Sequence, residues 1–192
     1  MPTIEQVSKR VFSDSTWLKK CAIGAVLSII PIVNFLVLGY LYQVFALGKK
    51  GRELKLPEWD DLKGLFLDGL RFLVVGIIFA GLPLGLVAVC TNFAFDGMIA
   101  QIPLIPVVFI SGPLLSAALY LYMVKLDIAD CFNIEALGLM LRGAAIQYVV
   151  PTLAYLGICL LGWPLIPIAF FVGGIFYFYL MGYAFRDLEK RS

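Results

Sequence analysis

The chain has 192 residues, of which 61% are hydrophobic and only 15% charged, and its mean hydropathy is +0.95. A soluble domain is nearer half apolar and a quarter charged, so this composition excludes an ordinary soluble globule and points to an all-α integral membrane protein. The net charge of +2 gives no reason to expect nucleic acid, and the absence of histidine excludes imidazole metal sites, Ser-His-Asp triads and histidine proton relays.

Residues 1–20 carry Lys9, Arg10, Lys19 and Lys20 against Glu5 and Asp14, with Ile4, Val7, Val11 and Leu18 roughly on one face. They read as an interfacial segment with Trp17 at headgroup depth. The first apolar run starts only at Cys21 and is too long for the core of a cleavable signal, so none is expected. Residues 21–48 form an uncharged stretch of 28 residues, interrupted by Ile30-Pro31-Ile32-Val33-Asn34. Proline inside a helix removes a hydrogen bond and clashes with the preceding turn. Two structures fit: one span kinked at Pro31, or a re-entrant hairpin that turns at Pro31-Asn34 and returns to the side it came from.

Residues 49–71 hold six basic and five acidic residues. Pro57 should stop whatever precedes it, and Asp60 and Asp61 are placed to cap the next helix. Leu62, Leu65, Phe66, Leu70 and Leu73 then recur at helical spacing, so an amphipathic helix runs into a span over 60–91. A short polar turn with Asp96 follows. Helices are expected over 103–124, 143–161 and 165–185, with a charged amphipathic stretch capped by Asn133 between the first two. A span needs about 20 apolar residues. The uncharged windows from Phe72 to Phe95 (24 residues), Gly97 to Val124 (28) and Gly143 to Phe185 (43) therefore supply four spans. No linker or low-complexity tract divides the chain, so residues 1–192 read as a single membrane domain.

Basic residues gather on the cytoplasmic side of short loops. They number four in the N-terminal tail, six in 49–71, two in 125–142 and three in the C-terminal tail, with none in 92–102 or 162–164. All fifteen share a side if residues 21–48 form a hairpin; a full span there would strand four of them opposite. The charge pattern thus favours four transmembrane helices plus a half-penetrating hairpin, with both termini cytoplasmic. A threefold echo agrees with it: Ile30-Pro31-Ile32-Val33-Asn34-Phe35, Ile105-Pro106-Val107-Val108-Phe109 and Ile166-Pro167-Ile168-Ala169-Phe170, each followed by a pair of tyrosines.

Several stretches resemble a known family: Phe12-Ser13-Asp14-Ser15 with Trp17-Leu18-Lys19-Lys20, Ile30 to Tyr40, and Leu56-Pro57-Glu58-Trp59-Asp60-Asp61 followed by Leu65-Phe66-Leu67-Asp68-Gly69-Leu70. They are similar to an uncharacterised family of small bacterial and archaeal membrane proteins that carries only a "domain of unknown function" label. That resemblance implies a multi-pass prokaryotic membrane protein and no activity. Ile30-Pro31 with Asn34 is also similar to a stretch of the sulfate-permease family, whose members contain half-penetrating hairpins.

The candidate sites follow. Pro31 and Asn34 are the candidate pore or turn, where the Asn34 amide lines a path or satisfies the backbone freed by the proline. Pro57, Glu58, Trp59, Asp60 and Asp61 are the candidate partner loop, with a structural alternative in which Trp59 anchors at the interface and the aspartates cap the next helix. No acidic or basic residue lies inside a span, which counts against a proton-coupled pump. The four scattered cysteines read as small packing residues, and no metal, cofactor or catalytic constellation is indicated. The expected functions are a small channel, permease or permease-like subunit for small solutes or anions, or a non-catalytic scaffold that binds partner proteins or shapes the bilayer. A homo-oligomer or membrane-protein partner is expected in either case, with the lipid bilayer as solvent.

Overall fold

The computed structural model describes residues 2–30, 33–95 and 97–190, with the side chains of residues 98, 100 and 125 excepted. The described chain is helical, without a strand. Its elements are α1 (Ile4–Ser13), α2 (Trp17–Ile29), α3 (Asn34–Lys50), α4 (Leu62–Gly76), α5 (Leu82–Ala94), α6 (Leu104–Lys125), α7 (Ile134–Gly143), α8 (Ala145–Leu161) and α9 (Ile166–Glu189). Three stretches are long and apolar enough to cross a membrane: Leu62–Ala94, Leu104–Val124 and Trp163–Glu189. A fourth exists if Ile134–Gly143 and Ala145–Leu161, interrupted at Ala144, are one span. The chain groups into two compact units, Met1–Leu73 with Gly143–Ser192, and Val74–Arg142. Nothing in the sequence marks that division, since it falls inside a continuous helix.

In the first unit α3 packs most extensively against α9, which also takes α2 and α8. Small residues make this possible. A methyl group on Gly39 would strike the Leu65 carbonyl, and one on Gly69 would strike the Phe35 carbonyl, so α3 and α4 touch backbone to backbone. Gly48 meets the Tyr179 carbonyl and Gly182 the Phe45 carbonyl, so α3 and α9 do the same. Water gives little drive to associate helices in lipid, and such close approach supplies the van der Waals contact instead. Tyr40, Phe45, Phe171, Tyr179 and Phe185 fill the remaining space and are fully buried.

The chain ends of this unit follow local rules. Thr3 and Gln6 form a reciprocal capping box on α1, with Gln6 N–H donating to Thr3 Oγ1 at 3.3 Å and Thr3 N–H to Gln6 Oε1 at 3.1 Å. Val7 and Val11 are buried, but Leu18 is exposed, because α1 stops at Ser13 and α2 starts a new helix at Trp17. α3 ends at Gly51, not at Pro57. Gly51 takes φ +61°, its N–H donates to Gly48 O at 2.9 Å, and Arg52 N–H donates to Leu47 O at 3.1 Å. Glycine carries no Cβ penalty in that left-handed conformation.

In the second unit α5 and α6 pack side by side. Between α4 and α5, residues Ile77–Gly81 form a π turn that closes with Leu82 N–H donating to Ile77 O. Its cause is Pro83. A proline ring collides with the carbonyl four residues back, and one wider turn removes the collision without breaking the helix. α6 carries Pro113 in its interior, where the Ser116 hydroxyl donates back to Gly112 O at 2.9 Å. Phe79 packs on Phe132 with ring centroids 5.4 Å apart. Asn133 caps α7 by accepting from Ala136 N–H at 3.0 Å, as its position in the sequence predicts.

Candidate functional site

The polar chemistry of the first unit collects around Lys20, in the first turn of α2. Its residue surface is only 3% exposed. A buried ammonium is costly unless each of its three donors finds an acceptor. Lys20 Nζ finds three: Glu58 Oε1 at 2.6 Å, Asp14 Oδ2 at 2.9 Å and the Leu56 carbonyl at 3.0 Å. Burial by itself would lower the lysine's pKa; the bonds from Glu58 and Asp14 outweigh it and leave the pKa raised. The Asp14 carboxyl is held down to about 2, first by the Thr16 hydroxyl and then by Lys20.

The same lysine positions the loop through its backbone. Trp59 Nε1 donates to the Lys20 carbonyl at 3.3 Å, and the indole stacks on Tyr40 with centroids 4.5 Å apart, next to Phe171 at 6.1 Å. Arg10 pairs with Glu53 at 3.4 Å, and the Tyr179 hydroxyl donates to Arg52 O at 2.9 Å. Segments before α2, after α3 and in the second half of α9 are therefore tied together at one end of this unit.

Within that end lies a cleft of about 540 Å³, lined by α3, the loop that follows it and Asp68 of α4. Tyr42, Ala46, Leu47, Leu56 and Pro57 form its apolar surface. Gln43, Lys50, Lys55, Glu58 and Asp68 form its polar one. Gln43 Nε2 donates to Asp68 Oδ2 at 3.3 Å, and Arg71 donates to Asp68 Oδ1 at 2.9 Å.

The structure scatters the residues that the sequence points to. Pro31 lies outside the described residues. Asn34 is the first residue of α3, and its buried Oδ1 has no hydrogen-bond partner among the described residues. It stands about 25 Å along α3 from the cleft end, at 1.5 Å per residue. Pro57 lines the cleft, Glu58 reaches Lys20, and Trp59 stacks inward instead of standing free. Asp61 caps α4, its Oδ1 accepting from Gly64 N–H at 2.9 Å and its carbonyl from Leu65 N–H at 2.9 Å. Asp60 is exposed. Local sequence patterns do not mark Asp14, Lys20, Tyr40, Gln43, Lys50 and Lys55 as site residues. They give no signal for the Lys20–Glu58 pair, because it joins positions far apart in the chain.

These features define a class: an all-helical protein with three or four helices apolar enough to cross a membrane, and a charged end organised around one buried lysine. The chain belongs to the family described as Protein of unknown function (DUF4013), whose model matches residues 23–180. The match takes in the whole Leu56–Asp61 loop, while Asp14 and Lys20 precede it. No curated protein and no solved structure matches the chain.

Proposed function

We propose that the protein is a non-catalytic, multi-pass scaffold or accessory subunit of a prokaryotic cytoplasmic membrane, with its charged end as the binding face. The observation that carries this reading is the clamp around Lys20. It holds the charged segments on either side of α2 and α3 at one end, in a fixed arrangement, with an open cleft beside them against α3 and Asp68. In this reading α2 and α3 form a half-penetrating hairpin, and both termini share the cytoplasmic side. Their lengths, 13 and 17 residues, support that, since a span needs about 20. The glycine-to-carbonyl crossings and buried aromatics of α3 and α9 favour a packed bundle over a conducting one.

A photo-crosslinker placed at exposed Asp60 tests it in native membranes. One discrete protein adduct from Asp60, absent when the crosslinker stands at Ile99, is the expected result. Equal adducts from both positions overturn the reading.

One observation favours a second reading, a permease for small solutes: the unpartnered Asn34 Oδ1 beside the α2–α3 break, an acceptor to which the N–H or O–H of a neutral solute can donate. Uptake of a small neutral solute such as urea into liposomes carrying the purified protein, reduced at least about tenfold by Asn34→Ala, would replace the first reading with this one; a tenfold change corresponds to about 1.4 kcal/mol.

A further inference from the structure

We propose that the cleft at the end of α3 binds the phosphate headgroup of an anionic phospholipid, with Lys50 and Lys55 taking the phosphate. The charges lining the cleft carry the inference. Glu58 pairs with Lys20 at 2.6 Å, a cation it shares with Asp14, and Asp68 pairs with Arg71 at 2.9 Å, with Gln43 donating to its second oxygen. Both carboxylates thus already have a cationic partner within the protein. Lys50 and Lys55 have no ion-pair partner among the described residues, and both are exposed. The cleft therefore offers two uncompensated ammonium groups.

Its remaining surface decides which anion suits it. Tyr42, Ala46, Leu47, Leu56 and Pro57 present an apolar wall directly beside the two lysines. A soluble phosphate would leave that wall in contact with water; a glycerophospholipid covers it with the start of an acyl chain. Leu62–Ala94, the apolar stretch that begins just after this loop and carries Asp68, is long and apolar enough to cross a membrane, and in this proposal the cleft lies near its end, at the level of lipid headgroups. The volume, about 540 Å³, lies within the range of about 300–1,000 Å³ typical of ligand sites. Basic clusters at the cytoplasmic ends of spans attract anionic lipid in the same manner.

The inference rests on the reading of the charged end as the binding face on the cytoplasmic side. Its test reads lipid, and the Asp60 adduct reads protein, so either can fail without the other. Native mass spectrometry of the full chain in detergent, with phosphatidylglycerol and phosphatidylcholine added in equal amounts, gives the measurement. The wild-type chain should retain phosphatidylglycerol preferentially. K50Q/K55Q should bind it about thirtyfold more weakly, since each lysine near an anionic surface contributes a factor of about five. K9Q/K190Q, the same charge change away from the cleft, should bind as wild type. Ala46→Trp, which fills the apolar wall and keeps both charges, should also lose the lipid. Circular dichroism melts check that each variant is folded.

Three results overturn the proposal: unchanged binding in folded K50Q/K55Q, an equal loss in K9Q/K190Q, or competition by glycerol 3-phosphate as effective as by the lipid. The second would mean diffuse attraction, and the third a soluble phosphate ligand.

Discussion

Lys20 carries the energetics of the charged end. Removing one member of a buried ion pair leaves its partners desolvated and uncompensated. Here Glu58 keeps 59% of its side chain exposed and Asp14 only 18%, so the loss is moderated by solvent around Glu58. Lys20→Met should cost about 2 kcal/mol, less than the roughly 3–5 kcal/mol of a fully buried pair, and should lower the melting temperature in detergent. Acid acts on the same group. The Asp14 pKa is depressed to about 2 from an ordinary 3.8, so its contribution is present above about pH 4 and disappears as pH falls through about 2. Lys20 is raised, so its contribution is present below its ordinary 10.5 and is lost only at higher pH. Melting curves between about pH 4 and 2 should show the wild-type chain losing stability that Asp14→Asn has already lost.

At the scale of the element, the glycines divide into two sets that look alike in the sequence. Gly39 faces the Leu65 carbonyl, which belongs to a helix backbone and cannot turn aside. A methyl group added at Gly85 would meet nothing within 4 Å. Gly39→Val should destabilise by about 3 kcal/mol, the upper part of the usual overpacking cost. Gly85→Ala should be neutral or stabilising by up to about 1 kcal/mol through helix propensity. Detergent melts of the two variants side by side check this, and equal effects would contradict the packing described for α3 and α4. Much of the element layout is legible in the sequence. The Asn133 and Asp61 caps follow from residue type and position, and the limits of 103–124 and 143–161 lie close to those of α6 and α8. The end of α3 is less legible: Pro57 is the louder signal, yet Gly51 stops the helix first because it can adopt a left-handed φ. The π turn is not legible either, since proline within a helix permits a kink, a break or a widened turn with no change in sequence.

For the whole molecule, the spread of basic residues and the ion pairs of the charged end make the same topological prediction. Single cysteines at Pro2, Lys55 and Lys190, in a chain without its native cysteines, should be labelled from one side of the membrane, and one at Ile99 from the other. Labelling of Pro2 together with Ile99 would mean that residues 21–48 cross fully. Membership of the candidate site is only half legible. Leu56-Pro57-Glu58-Trp59-Asp60-Asp61 stands out as a motif, but its residues divide among separate tasks: Glu58 on a buried lysine, Trp59 on Tyr40, Asp61 on a helix end.

By itself the sequence determined that this protein is helical and membrane-compatible, because long uncharged runs suit hydrocarbon when their backbone bonds are satisfied within each helix. It marked the caps of α4 and α7 and came close to the limits of α6 and α8, since capping and the length of an apolar run are local. The tertiary structure decided what the charges do. Whether a lysine stands free or is buried against two carboxylates depends on contacts between distant positions, and periodicity along one chain carries no record of them. That is why Lys20 emerged as the centre of the charged end, and why Lys50 and Lys55 line the cleft without an ion-pair partner among the described residues.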